Sequence, residues 1–217
     1  MLLKKKSISV ALLATKGGAG KSTLAANFSV LLAEGSRVAL VDYDPQLSTT
    51  HWADWRGKVP GPTFFKSTPV PSDDVRYLKS KGWDWIIMDT PGAHAEIWTR
   101  CVAAADFVLI PTQPAAVDIV AVMDGADYCR THNKPFAFVL NNCDEAWGIT
   151  KAAWPALRQL GPVISRNVKT REAYKSTYGA GKAALESSDK RKAAEAREEI
   201  ADVWGKIEAE IAKRVRV

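Results

Sequence analysis

Six short apolar runs punctuate the chain: "SISVALLAT" (7–15), "RVALVDYD" (37–44), "WDWIIMDT" (83–90), "DFVLIPT" (106–112), "PFAFVLNN" (135–142) and "GPVIS" (161–165). Each is rich in Val, Ile, Leu and aromatics and nearly continuous rather than alternating. That is the pattern of strands buried on both faces of a parallel sheet. Between them lie stretches with helical spacing: "KSTLAANFSVLLAEG", stopped by Gly35, then "IWTRCVAAA", "AAVDIVAVMDGADYCRTHN" and "ITKAAWPALRQL". Strand–helix alternation implies right-handed crossovers and a doubly wound, mostly parallel α/β sheet flanked by helices.

The Pro- and Gly-rich segment 56–74 reads mainly as a connection, with room for one extra strand around Phe64. From about Asp189 to 215 the chain reads as one long helix. Ile200, Val203, Trp204, Ile207, Ile211 and Val215 form a single apolar stripe there at spacings of three and four. Docking of that stripe on the sheet is the simplest use of it. The opposite face carries Lys206, Lys213, Arg214 and Arg216, but also Glu195, Glu198, Glu199, Glu208 and Glu210, which anionic lipid would repel. No repeat or domain boundary interrupts the pattern, so residues 1–217 are expected to form one domain with the last helix docked on it.

Composition narrows this little. The 217 residues, 47% hydrophobic and 25% charged, suit one globular core, and no apolar run is long enough to span a membrane. The opening "MLLKKKSISVALLA" mimics an export signal, but its apolar part leads straight into a glycine-rich loop and reads as the first strand. Cys101, Cys129 and Cys143 have neither paired nor metal-type spacing and read as reduced thiols. His51, His94 and His132 show no ligand spacing. Net charge is +6, and from Arg166 onward 13 lysines and arginines face 9 aspartates and glutamates, so about +4 of it lies in the last quarter. A solvated, salt-bridged face accounts for such a surplus; a nucleic-acid patch is the sharper use. Of the eight tryptophans, Trp83, Trp85 and Trp204 read as core, whereas Trp52 and Trp55 are candidates for a partner contact.

The chemistry concentrates in "ATKGGAGKST" (14–23), between the first strand and the first helix. Gly17, Gly18 and Gly20 let the backbone curl so that successive N–H groups, Ala19 included, face phosphate oxygens at a helix N-terminus. Lys21 would reach the β- and γ-phosphates, Ser22 would ligate Mg²⁺, and Thr23 is placed for the α-phosphate. The loop nearly matches G-x-x-x-x-G-K-[ST], except that Thr15 replaces the first glycine and Lys16 follows it. Two further strands end in carboxylates: "LVDYDPQ", with Asp42 and Asp44, and "WIIMDTP", whose Asp89 fits a Walker B aspartate holding Mg²⁺ through water.

Together "KGGAGKST", "DYDPQ" and "IIMDTP" resemble the deviant Walker A, Walker A′ and Walker B motifs of the bacterial ParA/MinD superfamily of ATPases. "FVLNN", "SRNVKTREAYKSTYGAGKAALESSDKRKAAEA" and the closing helix resemble the back half of small plasmid-partition ParA proteins of the ParF type. The resemblance implies a P-loop ATPase using ATP and Mg²⁺, with weak intrinsic turnover. It implies that Asp44 positions the attacking water and that Asp42 supports the Mg²⁺ shell or orients Lys21. Asn141 matches the adenine-reading position, and Asn142 stands where many relatives carry arginine. Lys16 would cross to the partner's nucleotide in an ATP-sandwich homodimer. The dimer is expected to bind DNA non-specifically, with Lys169, Arg171, Lys175, Lys182, Lys190, Arg191 and Lys192 as candidates. The implied role is DNA partition in the cytoplasm, on the nucleoid, with a small ParB- or ParG-like centromere-binding protein stimulating hydrolysis. The same engine serving another cargo (a protein organelle, a chemoreceptor cluster, a conjugation complex) is the alternative. The weakly apolar "AKRVRV" after Ile211 predicts no stable membrane association of the MinD kind.

Overall fold

The computed structural model describes residues 7–92 and 96–215, so the readings placed on His94 and Arg216 lie outside the described residues. Six parallel strands form one sheet: β1 (Ile8–Leu12), β2 (Val38–Asp42), β3 (Thr63–Lys66), β4 (Trp85–Asp89), β5 (Phe107–Thr112) and β6 (Phe136–Leu140). Their order is β3-β2-β4-β1-β5-β6, which places β1 centrally between β4 and β5. All strands but β3 are buried along their whole length, as continuous apolar runs require. β3 lies on the edge and is partly exposed.

The helices are α1 (Lys21–Ala33), α2 (Ser48–Arg56), α3 (Pro71–Ser80), α4 (Glu96–Ala104), α5 (Ala116–Ala121), α6 (Met123–Thr131), α7 (Gly148–Leu160), α8 (Glu172–Ser176) and α9 (Lys190–Arg214). Alternation along β4 divides the core. Trp85 and Ile87 pack toward α1 and α9, whereas Ile86 and Met88 face the opposite layer with Val75, Leu78 and Cys101. The three cysteines are buried and unpaired.

Two expectations about strands need correction. The sixth strand is not 161–165. That segment makes one isolated bridge, Val163 with Phe138, and then tracks β6 irregularly toward a second bridge between Cys143 and Lys169. The sixth strand is β3, inside the segment read mainly as a connection. Phe64 sits at its centre, and α3 starts soon after with Pro71 in its first turn. An edge strand buries only part of its side chains, so four residues suffice and leave a weak apolar signature.

α9 begins where the sequence places it: the Asp189 carboxylate accepts hydrogen bonds from the Arg191 and Lys192 amides, capping the helix. Its stripe is docked, with Ile200, Val203, Trp204, Ile207 and Ile211 all buried. The Trp204 ring lies 5.1 Å from Phe28 of α1 and 5.1 Å, edge-on, from Trp85 of β4. At roughly 1.5–3 kcal/mol for each large apolar side chain removed from water, this stripe is what fixes the helix. Among the described residues no helix is long and apolar enough to cross a membrane. Trp52 is also core, not a contact surface, at 1% exposure; Trp55 is exposed and stacks on His51.

Trp204→Ala is expected to destabilise the chain by about 3–5 kcal/mol, a fall in melting temperature on the order of 10 °C at this size. Thermal unfolding measures it, and a loss under 1 kcal/mol would mean that α9 is not anchored there.

Candidate nucleotide site

The site lies at the C-terminal edge of the sheet beside β1, where strand order reverses: β2, β3 and β4 lie to one side, β5 and β6 to the other. The loop between β1 and α1 takes left-handed backbone at Gly18 (φ +83°) and Gly20 (φ +89°). A side chain at Gly20 would also meet the Asn141 amide nitrogen at 2.2 Å, so glycine is required twice over. The loop is braced from outside. Asn141 Nδ2 donates to the Ala19 carbonyl (2.8 Å), and Gln113 Nε2 donates to the Gly18 carbonyl (3.0 Å). Holding these carbonyls from behind leaves the loop amides free to face a ligand.

The loop opens on a cleft of about 810 Å³ lined by Gly17, Gly20, Lys21, Ser22, Thr23 and Asp44, among others. A narrower extension of about 280 Å³ shares Gly18, Gly20, Thr23 and Tyr178 with it and continues past Asn141 and Asn142. A mouth about as polar as apolar, joined to a mostly apolar slot, suits a nucleotide with its phosphates on the loop and its base beyond.

Asp42 and Asp89 are register partners on β2 and β4, with 4% and 0% exposure. Their surroundings separate their roles. Asp42 Oδ1 accepts from the Asp44 amide (2.9 Å), and Oδ2 accepts from the Thr50 amide (2.8 Å) and hydroxyl (2.9 Å). Asp42 therefore shapes the turn that carries Asp44 and anchors the start of α2. Asp44 is only partly buried at the cleft mouth and accepts from the Gln46 amide.

Asp89 Oδ2 accepts from the Thr49 hydroxyl (2.5 Å), while Oδ1 is buried with no hydrogen-bond partner. Full burial pushes its carboxyl up to about 7; the nearby hydroxyls of Ser22 and Thr49 pull it down, Asp42 adds to the rise and the Lys21 charge opposes it. An orphaned carboxylate oxygen beside a serine hydroxyl at the phosphate end of a cleft fits a hydrated divalent cation. Lys21 itself is buried to 7% exposure at the first residue of α1.

Lys16 behaves differently. Its side chain is 54% exposed, and Nζ pairs with Asp118 of α5 at 2.8 Å. The Thr15 hydroxyl donates to the Ala121 carbonyl. Asn141 lines the narrower slot, with its amide nitrogen engaged by the Ala19 carbonyl of the loop.

The basic candidates fall into groups. Lys169, Arg171 and Lys175 line the base-side slot. Arg171 is held by Glu195 (2.5 Å) and by the buried Glu199 (3.2 Å), Lys192 by Glu172 (2.8 Å), and Arg191 loosely by Glu195 (3.8 Å). Lys182 and Lys190 are exposed, and neither forms an ion pair among the described residues. Thr49, Thr50, Gln113 and Asp118 escaped the sequence reading. The first two carried a faint signal, hydroxyl residues just after "DPQ" where a helix begins; the other two carried none.

These features define a phosphate-binding strand–loop–helix site with a metal-ready carboxylate, the site of a P-loop nucleotide-binding domain. Residues 10–176 match the CobQ/CobB/MinD/ParA nucleotide binding domain family, and the chain belongs to it as a ParA/MinD-type ATPase. It is 28% identical over 190 residues to the maintenance of carboxysome distribution protein A of Halothiobacillus neapolitanus, covering 83% of this chain and 88% of that one. It is 38% identical over 112 residues to Protein ParA of Rhizobium radiobacter, half of each chain. In fold it is similar to a putative plasmid partition protein from Borrelia burgdorferi bound to AMPPNP (TM-score 0.72, 17% identity, 93% of this chain and 100% of that one).

Because the Asp89 carboxyl titrates near 7 folded against about 4 ordinarily, its burial costs little at low pH and destabilises the nucleotide-free chain increasingly between about pH 4 and 7. Asp89→Asn should raise the melting temperature by several degrees at pH 8 and hardly at all at pH 4, at about 2–4 °C per kcal/mol. Calorimetry at both pH values tests this; an equal shift at both would remove the electrostatic origin.

Proposed function

We propose that the chain is an ATP-switched positioning ATPase. Its ATP-bound homodimer binds DNA without sequence preference, and hydrolysis, stimulated by a small partner protein, releases it. The observation that carries this reading is the separation of the two loop lysines. Lys21 is buried inside the cradle, while Lys16 stands half exposed on the rim, directed away from its own cleft. A lysine so placed is suited to another subunit's phosphates, where it would offset charge building in the transition state.

Within each subunit the loop amides and Lys21 would hold the phosphates, Ser22 and Asp89 would hold Mg²⁺, and Asp44 would orient the attacking water. The bound cation supplies neutralisation of phosphate charge. Two subunits would close only with γ-phosphate present to bridge them, giving a timed dimer.

The unpaired Lys182 and Lys190, with Lys169 and Lys175 on the rim of the base-side slot, are the best DNA contacts among the basic candidates. Dimerisation would double this modest patch, and each phosphate neutralised adds to a steep salt-dependent term. DNA partition with a ParB- or ParG-like partner is the first cargo reading, with the protein cytoplasmic and on the nucleoid. A protein organelle as cargo is the second. It is favoured by the similarity to a carboxysome-distribution protein along most of both chains. A short DNA-binding gene directly downstream would favour partition. The docked stripe of α9 supports the absence of stable membrane association.

The central test is DNA binding with ATP, with ADP and without nucleotide across a salt series. Binding is expected with ATP alone, weakening linearly in log–log form as salt rises. Lys16→Ala should lose dimerisation and DNA binding while keeping monomeric nucleotide binding, and Asp44→Ala should accumulate an ATP-bound dimer with little hydrolysis. A Lys16→Ala protein that still dimerised and bound DNA with ATP would refute the two-subunit site.

A further inference from the structure

We infer that Asp118 is a positioning residue that holds Lys16 on its own subunit until a second nucleotide site is presented, so that breaking this pair is part of dimer closure. The inference rests on the reading of Lys16 as a residue that works in trans. Its basis is geometric. Lys16 Nζ lies 2.8 Å from Asp118 Oδ1, across 102 positions of sequence, and the carboxylate is the less exposed partner, at 15% against 54%. One residue earlier the Thr15 hydroxyl bonds the Ala121 carbonyl, so two consecutive loop residues are tied to the same helix.

The brace beneath is close-packed. A side chain added at Gly125 of α6 would stand 3.2 Å from Leu13 and 3.7 Å from Thr15, so the α5–α6 corner is fitted against the strand end that carries the loop. α5 itself is one short helix with no buried residue, and Val117 and Val120 beside Asp118 are 66% and 65% exposed. α5 is thus anchored on the loop side and open on the other, with Asp118 turned toward the loop.

An ammonium cannot serve a carboxylate on its own subunit and a phosphate on another at once. Whatever the pair contributes in the monomer is subtracted from dimerisation. A partly exposed ion pair contributes modestly, and closing a homodimer breaks one in each subunit, so its removal should shift the dimer equilibrium on the order of two- to thirtyfold. The freed carboxylate would recapture Lys16 once phosphate charge leaves, which favours separation after hydrolysis. Asp118→Asn keeps the shape and removes the charge; Asp118→Glu keeps the charge.

The experiment has two arms on the full chain. In the first, nucleotide-free protein is treated with an amine-acylating reagent and modification at Lys16 is followed by mass spectrometry. Asp118→Asn should acylate Lys16 faster than the wild type, and Asp118→Glu should not. In the second, sedimentation with ATP should show a dimer tighter by about two- to thirtyfold for Asp118→Asn, a difference that shrinks with added salt, with Asp118→Glu close to wild type. Equal acylation rates, or an Asp118→Asn dimer no tighter than wild type while melting temperatures agree, would overturn the cis restraint alone. If the wild type and both variants all stayed monomeric with ATP, the two-subunit reading would fall and the inference with it.

Discussion

Two carboxylates stand side by side at the end of neighbouring parallel strands, and nearly everything around the cleft accommodates them. Asp42 and Asp89 are register partners, both buried, and two like charges in that position are costly unless each is separately satisfied. The local structure satisfies them unequally. Asp42 receives the Asp44 amide and both donors of Thr50, which makes it the organiser of a turn. Asp89 receives the Thr49 hydroxyl on one oxygen and no donor on the other, with Lys21 providing the nearby positive charge. The unsatisfied oxygen marks the place where a cation and a polyphosphate would complete the site.

The same constraint reaches the C-terminal part of the chain through α2. Thr49 and Thr50 lie in its first turn and Arg56 at its end, so the helix links the carboxylates to the wall of the cleft. Arg56 is buried, forms two contacts of 2.8 Å with Glu186 and donates to the Gly181 carbonyl at 3.0 Å. Gly181 (φ +66°) approaches so closely that an added side chain would lie 2.1 Å from the Arg56 amide nitrogen. Trp52 donates its indole N–H to the Lys182 carbonyl, and Tyr178 donates its hydroxyl to the Ser48 carbonyl. The segment that resembles the back half of partition ATPases is therefore fastened to the helix beginning at the carboxylates. Tyr178 in turn borders both parts of the cleft.

Much of this was legible in the chain itself. Continuous apolar runs, a glycine-spaced loop and carboxylates at strand ends are local signals, and the structure places all three motifs at one sheet edge. The long C-terminal helix was readable because its stripe keeps helical spacing over many residues, and its start because an aspartate caps it. The edge strand β3 and the false strand at 161–165 were not separable, because both are short and their status depends on which neighbour offers a hydrogen-bonding edge. Trp52 and Trp55 differ by three positions, yet one is core and the other surface, since only the docking of α2 decides which face is covered.

Sequence alone determined the phosphate-binding chemistry, because that chemistry resides in contiguous residues whose backbone conformations are set by glycine and by the strand–helix junction. Tertiary structure alone decided how the charges are shared. Lys16 meets Asp118, Arg171 meets Glu195 and Glu199, and Arg56 meets Glu186 across 24 to 130 positions of chain. Such pairings follow from the packing of distant elements, and no periodicity or motif encodes them. The count of basic residues was therefore visible from the start, whereas which of them remain free to meet another molecule was fixed only when the helices had taken their places.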